Sequence, residues 1–191
     1  MAMKSPDDMM AAVTGSMKER TGRSLEEWVA LVQKSRIDPL DQLAVRRWLK
    51  SEHGVLQNTR WAIANNAAIA AGWTRPDVET YIDSQYDGAK AGLRPIFDAL
   101  REIIEDFGDD ISAEGRKTYT PFVRRRQFVA IAAATATRID VGLRYTDPPK
   151  SGLIKPAAAP GQATHKLSLT KPSEITKDVE RLLRLAYEQN G

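Results

Sequence analysis

The sequence predicts an α+β protein: an N-terminal helical bundle to about residue 75, followed by a helix-flanked small antiparallel sheet domain over 76–191. Three observations carry this expectation. Apolar residues recur at helical spacing as far as Phe107, the period shortens to two after Gly115, and the helical pattern returns after Thr176. With 191 residues, 42% of them hydrophobic, the chain is long enough to bury one core or two small ones.

The first helix is announced by Ser5-Pro6-Asp7-Asp8, where serine caps, proline suits the first helical position and acids favour the first turn; Gly22 ends it. Ser24-Leu25-Glu26-Glu27 fits a capping box, and Leu25, Trp28, Val29 and Val32 form the stripe that follows. Asp38-Pro39 opens a third helix with Leu40, Leu43, Ala44 and Trp48 as its expected buried face and Gly54 as its stop. A fourth begins near Gln57, where Trp61, Ala64, Ala68 and Ala71 make a narrow face. All four tryptophans fall between Trp28 and Trp73, which predicts an aromatic core for this module.

Thr74-Arg75-Pro76-Asp77 is another cap, and the module boundary is expected between Gly72 and Gly88. From 90 to 107, Leu93, Ile96, Phe97, Leu100, Ile103, Ile104 and Phe107 follow the amphipathic rule, with Pro95 kinking the helix or marking its start. Ile139, Val141 and Leu143 then alternate with Arg138, Asp140 and Arg144, and His165, Leu167 and Leu169 with Thr164, Lys166 and Ser168. Three or four antiparallel strands result. TDPPKSGLIKPAAAPGQA, with four prolines, reads as a long mobile loop between them, and Val179, Leu182, Leu183 and Ala186 give the closing helix its apolar face.

GRSLEEWVALVQ followed by RRWLKSEHGV resembles a short helical domain of unknown function found at the N-terminus of uncharacterised bacterial proteins. YDGAKAGLRPIFDAL, KTYTPFVRRRQFVAI, TRIDVGLR, THKLSLT and LLRLAYEQ resemble the α+β domain of unknown function that accompanies it. The resemblance covers nearly the whole chain. It implies a two-module bacterial protein and no established activity, cofactor or catalytic residue.

Composition excludes several chemistries. There is no cysteine, hence no disulfide, thiolate ligand or cysteine nucleophile, and the default compartment is the cytoplasm. No secretory signal or membrane span is apparent in the pattern of apolar runs. Two histidines, His53 and His165, lie in different modules without metal-ligand spacing, so no metal and no cofactor is expected. The acids Glu102, Glu105, Asp106, Asp109 and Asp110 read as a solvated face. P-loop, dinucleotide and nucleophile-elbow motifs are missing.

The net charge of +3 makes any anion-binding argument a local one. The local feature is KTYTPFVRRRQFVAI: between Gly115 and Asp140 the chain carries Arg116, Lys117, Arg124, Arg125, Arg126 and Arg138 and no acid. A straight strand would bury arginines in an apolar row, so a bulge or wide turn near Arg125 is expected to expose all three guanidinium groups. They serve either as edge protection or as an anion site with Tyr119, Phe122 and Phe128 interleaved. Asp140 shares a strand face with Arg138 and Arg144, to which a neighbouring strand adds Lys166. VRRWLK, Gly54 and NTRWAIANN have the outline of a helix-turn-helix, but Lys50 and Arg60 fall where that motif wants small and apolar residues.

The expected function is therefore a non-catalytic binding module that engages a polyanion or nucleic acid through Arg124, Arg125, Arg126, Arg138 and Arg144. Two alternatives stand beside it. One is an enzyme or binder acting on an anionic small molecule, with Asp140 as acid or base, Tyr119 or Tyr187 assisting and Lys166 and the arginines holding the ligand. The other is an oligomerisation or adaptor protein, a homodimer included, that docks through its helical module.

Overall fold

The computed structural model describes residues 14–191, and the chain divides into two units, Met1–Arg75 and Pro76–Gly191. The Ser5-Pro6 helix start lies outside the described residues. The first unit contains α1 (Met17–Thr21), α2 (Leu25–Lys34), α3 (Gln42–Ser51) and α4 (Gln57–Ala70). Gly22 ends α1 with a left-handed φ of 76°, a conformation that costs glycine little. Ser24 and Glu27 form the reciprocal capping box at α2.

Helix α3 begins later than Asp38-Pro39 suggests. Asp41 is its cap, accepting from the Leu43 and Ala44 amides, whereas Asp38 accepts from Leu40 in the preceding turn. The buried face moves accordingly: Val45 and Leu49 are fully buried, and Leu40 and Leu43 are exposed. On α4 the buried residues are Thr59, Ala62, Ile63, Ala64, Ala67 and Ala68, so Trp61 turns outward. The core of this unit is thus aliphatic, with Trp28 as its one buried tryptophan, joined by Met17, Val32, Val45, Leu49 and Ile63. The alanines of α4 carry little side-chain bulk, which lets α2 and α3 pack closely against it.

The second unit runs α5 (Val78–Gln85), a 3-10 segment (Gly88–Leu93), α6 (Arg94–Glu105), β1 (Ser112–Ala113), β2 (Thr120–Val123), β3 (Gln127–Ala133), β4 (Ile139–Leu143), β5 (Lys155–Pro156), β6 (His165–Leu169), a 3-10 turn (Pro172–Glu174) and α7 (Lys177–Glu188). Pro95 stands in the first turn of α6, where its missing N–H costs nothing. All strand pairings are antiparallel, in the order β1-β2-β3-β4-β6-β5. Four strands of four to seven residues make the body of the sheet, and the two-residue β1 and β5 close its edges.

One sheet face, with Phe122, Val129, Ile131, Val141, Leu143 and Leu167, packs into a core shared with Phe97 and Leu100 of α6 and with Val179 and Leu183 of α7. The alternation of the strands puts Ala130, Ala132, Asp140, Gly142, Lys166 and Ser168 on the other face. Residues 157–163 do not hang free. A side chain on Gly142 would meet the Pro160 carbonyl at 2.5 Å and Ala163 at 2.9 Å, so this segment lies directly on the second face, held by the Arg144 guanidinium donating to Gln162 (2.5 Å). Among the described residues, no helix is long and apolar enough to cross a membrane.

Candidate functional site

The register of β4 and β6 brings Arg138, Asp140 and Lys166 together. Lys166 Nζ donates to Asp140 Oδ2 at 2.6 Å, Ser168 Oγ donates to Oδ1 at 2.7 Å, and Arg138 Nε stands 3.0 Å from Oδ1. That last contact is one of charge, since Arg138 Nε is out of line for a hydrogen bond and has no partner in that sense. Burial pushes the Asp140 carboxyl upward, but hydrogen bonds from Lys166 and Ser168 and the charges of Lys166 and Arg138 outweigh it and hold the group below its ordinary range. A carboxylate so held stays ionised and is a poor proton donor. Its side chain is 9% exposed, so the two cations around it are largely spent on an internal charge.

The arginine run forms the β2–β3 turn. The register shifts between Phe122 and Val123, and the Arg124 amide donates to the Arg126 carbonyl, closing a three-residue turn with a bulge beside it. The three side chains part company there. Arg124 Nε donates to Asp110 Oδ2 at 2.6 Å, its guanidinium lies 4.2 Å from the centre of the Tyr187 ring, and Tyr187 donates its hydroxyl to the same carboxylate at 2.8 Å. The hydrogen bond from Arg124, then that from Tyr187, lowers the Asp110 pKa. Arg125 and Arg126 are exposed and have no partner among the described residues. Arg144 is engaged by Gln162, and Tyr119, just ahead of β2, is half-buried. The predicted residues therefore do not converge on one open cationic face.

A cationic surface does form on the helical unit. Because Val45 and Leu49 take the inward positions of α3, Arg46, Arg47 and Lys50 fall on its outer side, where Arg60 and Trp61 of α4 meet them across a shallow hollow of ≈ 220 Å³. Among the described residues, none of these four cations is ion-paired and no acid lines the hollow. The Arg46 guanidinium lies 3.7 Å from the centre of the Trp61 ring, and its Nε donates to the Gln42 carbonyl. Trp61 is still 49% exposed. Arg60 Nε is buried without a hydrogen-bond acceptor. Arg46 and Lys50 form an i, i+4 like-charge pair, which disfavours an isolated helix by about 0.2–0.5 kcal/mol.

The sequence pattern puts Trp61 in an aromatic core, which hides that it shares an outer surface with Arg46 and Arg47. The available signal was the spacing of Arg46, Arg47 and Lys50 against Val45 and Leu49, obscured by the competing apolar series of Leu40, Leu43 and Trp48.

Residues 82–190 match the family model described as a domain of unknown function, DUF5655, and residues 10–58 match a second domain of unknown function, DUF4287. The two modules recognised in the sequence thus both correspond to family domains. No curated protein and no solved structure matches the chain.

Proposed function

The chain belongs to the DUF5655 family of unknown function, and from that premise we propose that it is a non-catalytic binding module for single-stranded nucleic acid. The contact surface is the outer side of α3 and α4. One observation carries the reading: four cations without counter-charges among the described residues, Arg46, Arg47, Lys50 and Arg60, surround a tryptophan that is half exposed. Unpaired cations attract a phosphate backbone, and an exposed indole offers a base a stacking platform worth about 1–3 kcal/mol. An exposed aromatic of this kind favours an unpaired strand over a duplex, whose bases are already stacked.

The arginines of the β2–β3 turn enter in a smaller role. Arg125 and Arg126 are free to meet phosphates, while Arg124 is committed to Asp110 and Tyr187. The ion pairs of Asp140 with Lys166 and Arg138 and its hydrogen bond from Ser168 favour a structural role for this carboxylate over acid–base work.

The test is fluorescence anisotropy with labelled single strands of about 12 nucleotides and with the matching duplex. The expected result is saturable binding that prefers the single strand. It weakens about tenfold or more in Trp61→Ala and in Arg47→Ser/Lys50→Ser, and less in Arg125→Ser/Arg126→Ser. Absence of binding at low salt, or equal binding by the Arg47/Lys50 variant, defeats the proposal. Concentration-dependent dimerisation abolished by Trp61→Ala, without oligonucleotide binding, would reassign the surface to self-association.

A further inference from the structure

Arg20 and Arg23 take no part in the surface described above, yet both line a second hollow of the helical unit, of ≈ 280 Å³, where the end of α1, the turn after it and the α3–α4 connection come together. We propose that this hollow binds a terminal phosphate group, that is, a phosphate monoester with its three free oxygens. The site stands on its own geometry; only the identification of that phosphate with the end of a bound single strand rests on the nucleic-acid reading. The two hollows share the start of α4, since Leu56 and Thr59 line this one and Gln57, Arg60 and Trp61 the other.

Each donor group of the hollow is held by something beneath it. Arg20 Nη2 donates to Thr59 Oγ1 at 3.0 Å, and Thr59 is 3% exposed, so a surface guanidinium is anchored to a buried hydroxyl. The Arg23 guanidinium lies 5.0 Å from the centre of the Trp28 ring, which is itself fixed by burial and by its Nε1 donating to Thr21 Oγ1 at 2.9 Å. His53 packs edge-on against both Trp28 and Trp48, with ring centres 5.3 and 4.7 Å away. These contacts position three side chains before any ligand arrives, which lowers the entropy lost on binding.

All three remain within reach of a ligand. Arg20, Arg23 and His53 are exposed, and among the described residues Thr59 is the one hydrogen-bond partner of their side chains. Among the described residues, neither arginine is ion-paired and no acid lines the hollow. Two guanidinium forks and an imidazole N–H, arriving from three segments, suit a tetrahedral oxyanion with a free oxygen for each of them. A phosphodiester inside a strand has two free oxygens, and a carboxylate has two in one plane, so each leaves one donor group unanswered. No side chain caps α4 and its first turn carries no acid, so the positive end of the helix dipole adds to the same wall.

The experiment is a 1H–15N NMR titration of the full chain with methyl phosphate, dimethyl phosphate and acetate. Methyl phosphate is expected to shift the Leu56 and Thr59 amides saturably, with dimethyl phosphate and acetate each weaker by about tenfold or more. Arg23→Gln, at an exposed position, is expected to weaken methyl phosphate by about tenfold and leave the spectrum otherwise unchanged, whereas Trp61→Ala leaves methyl phosphate binding intact. The proposal is overturned if methyl phosphate gives no saturable shift up to about 10 mM, if dimethyl phosphate binds as tightly, or if Arg23→Gln and Arg20→Gln both bind equally well. Single strands with and without a terminal phosphate identify the source: a gain of about tenfold that Arg23→Gln abolishes assigns the site to the strand's end, and equal binding beside saturable methyl phosphate assigns it to a free monoester. Methyl phosphate binding without any oligonucleotide binding supports this site and defeats the nucleic-acid reading.

Discussion

Replacing Asp140 with Ala should destabilise the second unit by a measurable amount. Its carboxylate accepts charge-assisted hydrogen bonds from Lys166 and Ser168 at 2.6 and 2.7 Å. Such bonds contribute roughly 1.5–3 kcal/mol each when their groups are buried. The full sum is not expected, because the Lys166 side chain is 23% exposed and regains water, and Ser168 is exposed. We predict a loss of about 2–3 kcal/mol at neutral pH, read from urea denaturation followed by circular dichroism. Asp140→Ala combined with Lys166→Met should recover part of that loss, since the second change removes the stranded charge. The pH dependence has a definite sign. The folded carboxyl titrates below its ordinary value of 3.8, so its stabilisation is complete above that value and fades as pH falls through the lower folded pKa. The gap between wild type and Asp140→Ala should close in acid. A neutral-pH loss under about 0.5 kcal/mol, or a gap that widens on acidification, would refute the reasoning.

The other stability predictions follow from individual contacts. Ser24→Ala removes half of the capping box and should cost the first unit about 1 kcal/mol in thermal or urea melts. Gly142→Ala drives a methyl group against the Pro160 carbonyl; it should destabilise the second unit by about 1–3 kcal/mol and make residues 157–163 more susceptible to limited proteolysis. The arginine run should separate by position: Arg124→Ser lowers Tm because Asp110 and Tyr187 lose their partner, whereas Arg125→Ser and Arg126→Ser leave Tm unchanged.

Local chemistry was legible in the sequence because it is written in adjacent residues. The capping box at Ser24 and Glu27, the left-handed stop at Gly22, the amphipathic series from Ile96 to Ile104 and the alternation of Ile139, Val141 and Leu143 each depend on near neighbours. The facing of α3 and α4 was harder. Tryptophan is bulky and apolar, so Trp61 invited a core assignment, yet the alanines on the opposite side of α4 suit close helix packing and Trp61 gains an arginine partner outside. Two-residue edge strands carry too short a pattern to read, which hid β1 and β5. The alternation of both strands already brought Lys166 to the face of Asp140, whereas the partners of Gln85 come from as far as Thr120, which packing decides and not composition. The same holds for Arg124: nothing in the arginine run marks it off from Arg125 and Arg126, and only the approach of Asp110 and Tyr187 does so.

The most direct measurement is the salt dependence of single-strand binding by the intact chain. If Arg46, Arg47, Lys50 and Arg60 each neutralise one phosphate, a contribution of about 0.7 per contact predicts affinity falling about 50-fold between roughly 50 and 200 mM salt. The same titration on Arg47→Ser/Lys50→Ser should show that dependence reduced to about sevenfold. Affinity that ignores salt, or a slope that the double variant leaves untouched, would contradict the assignment of this surface to a phosphate backbone.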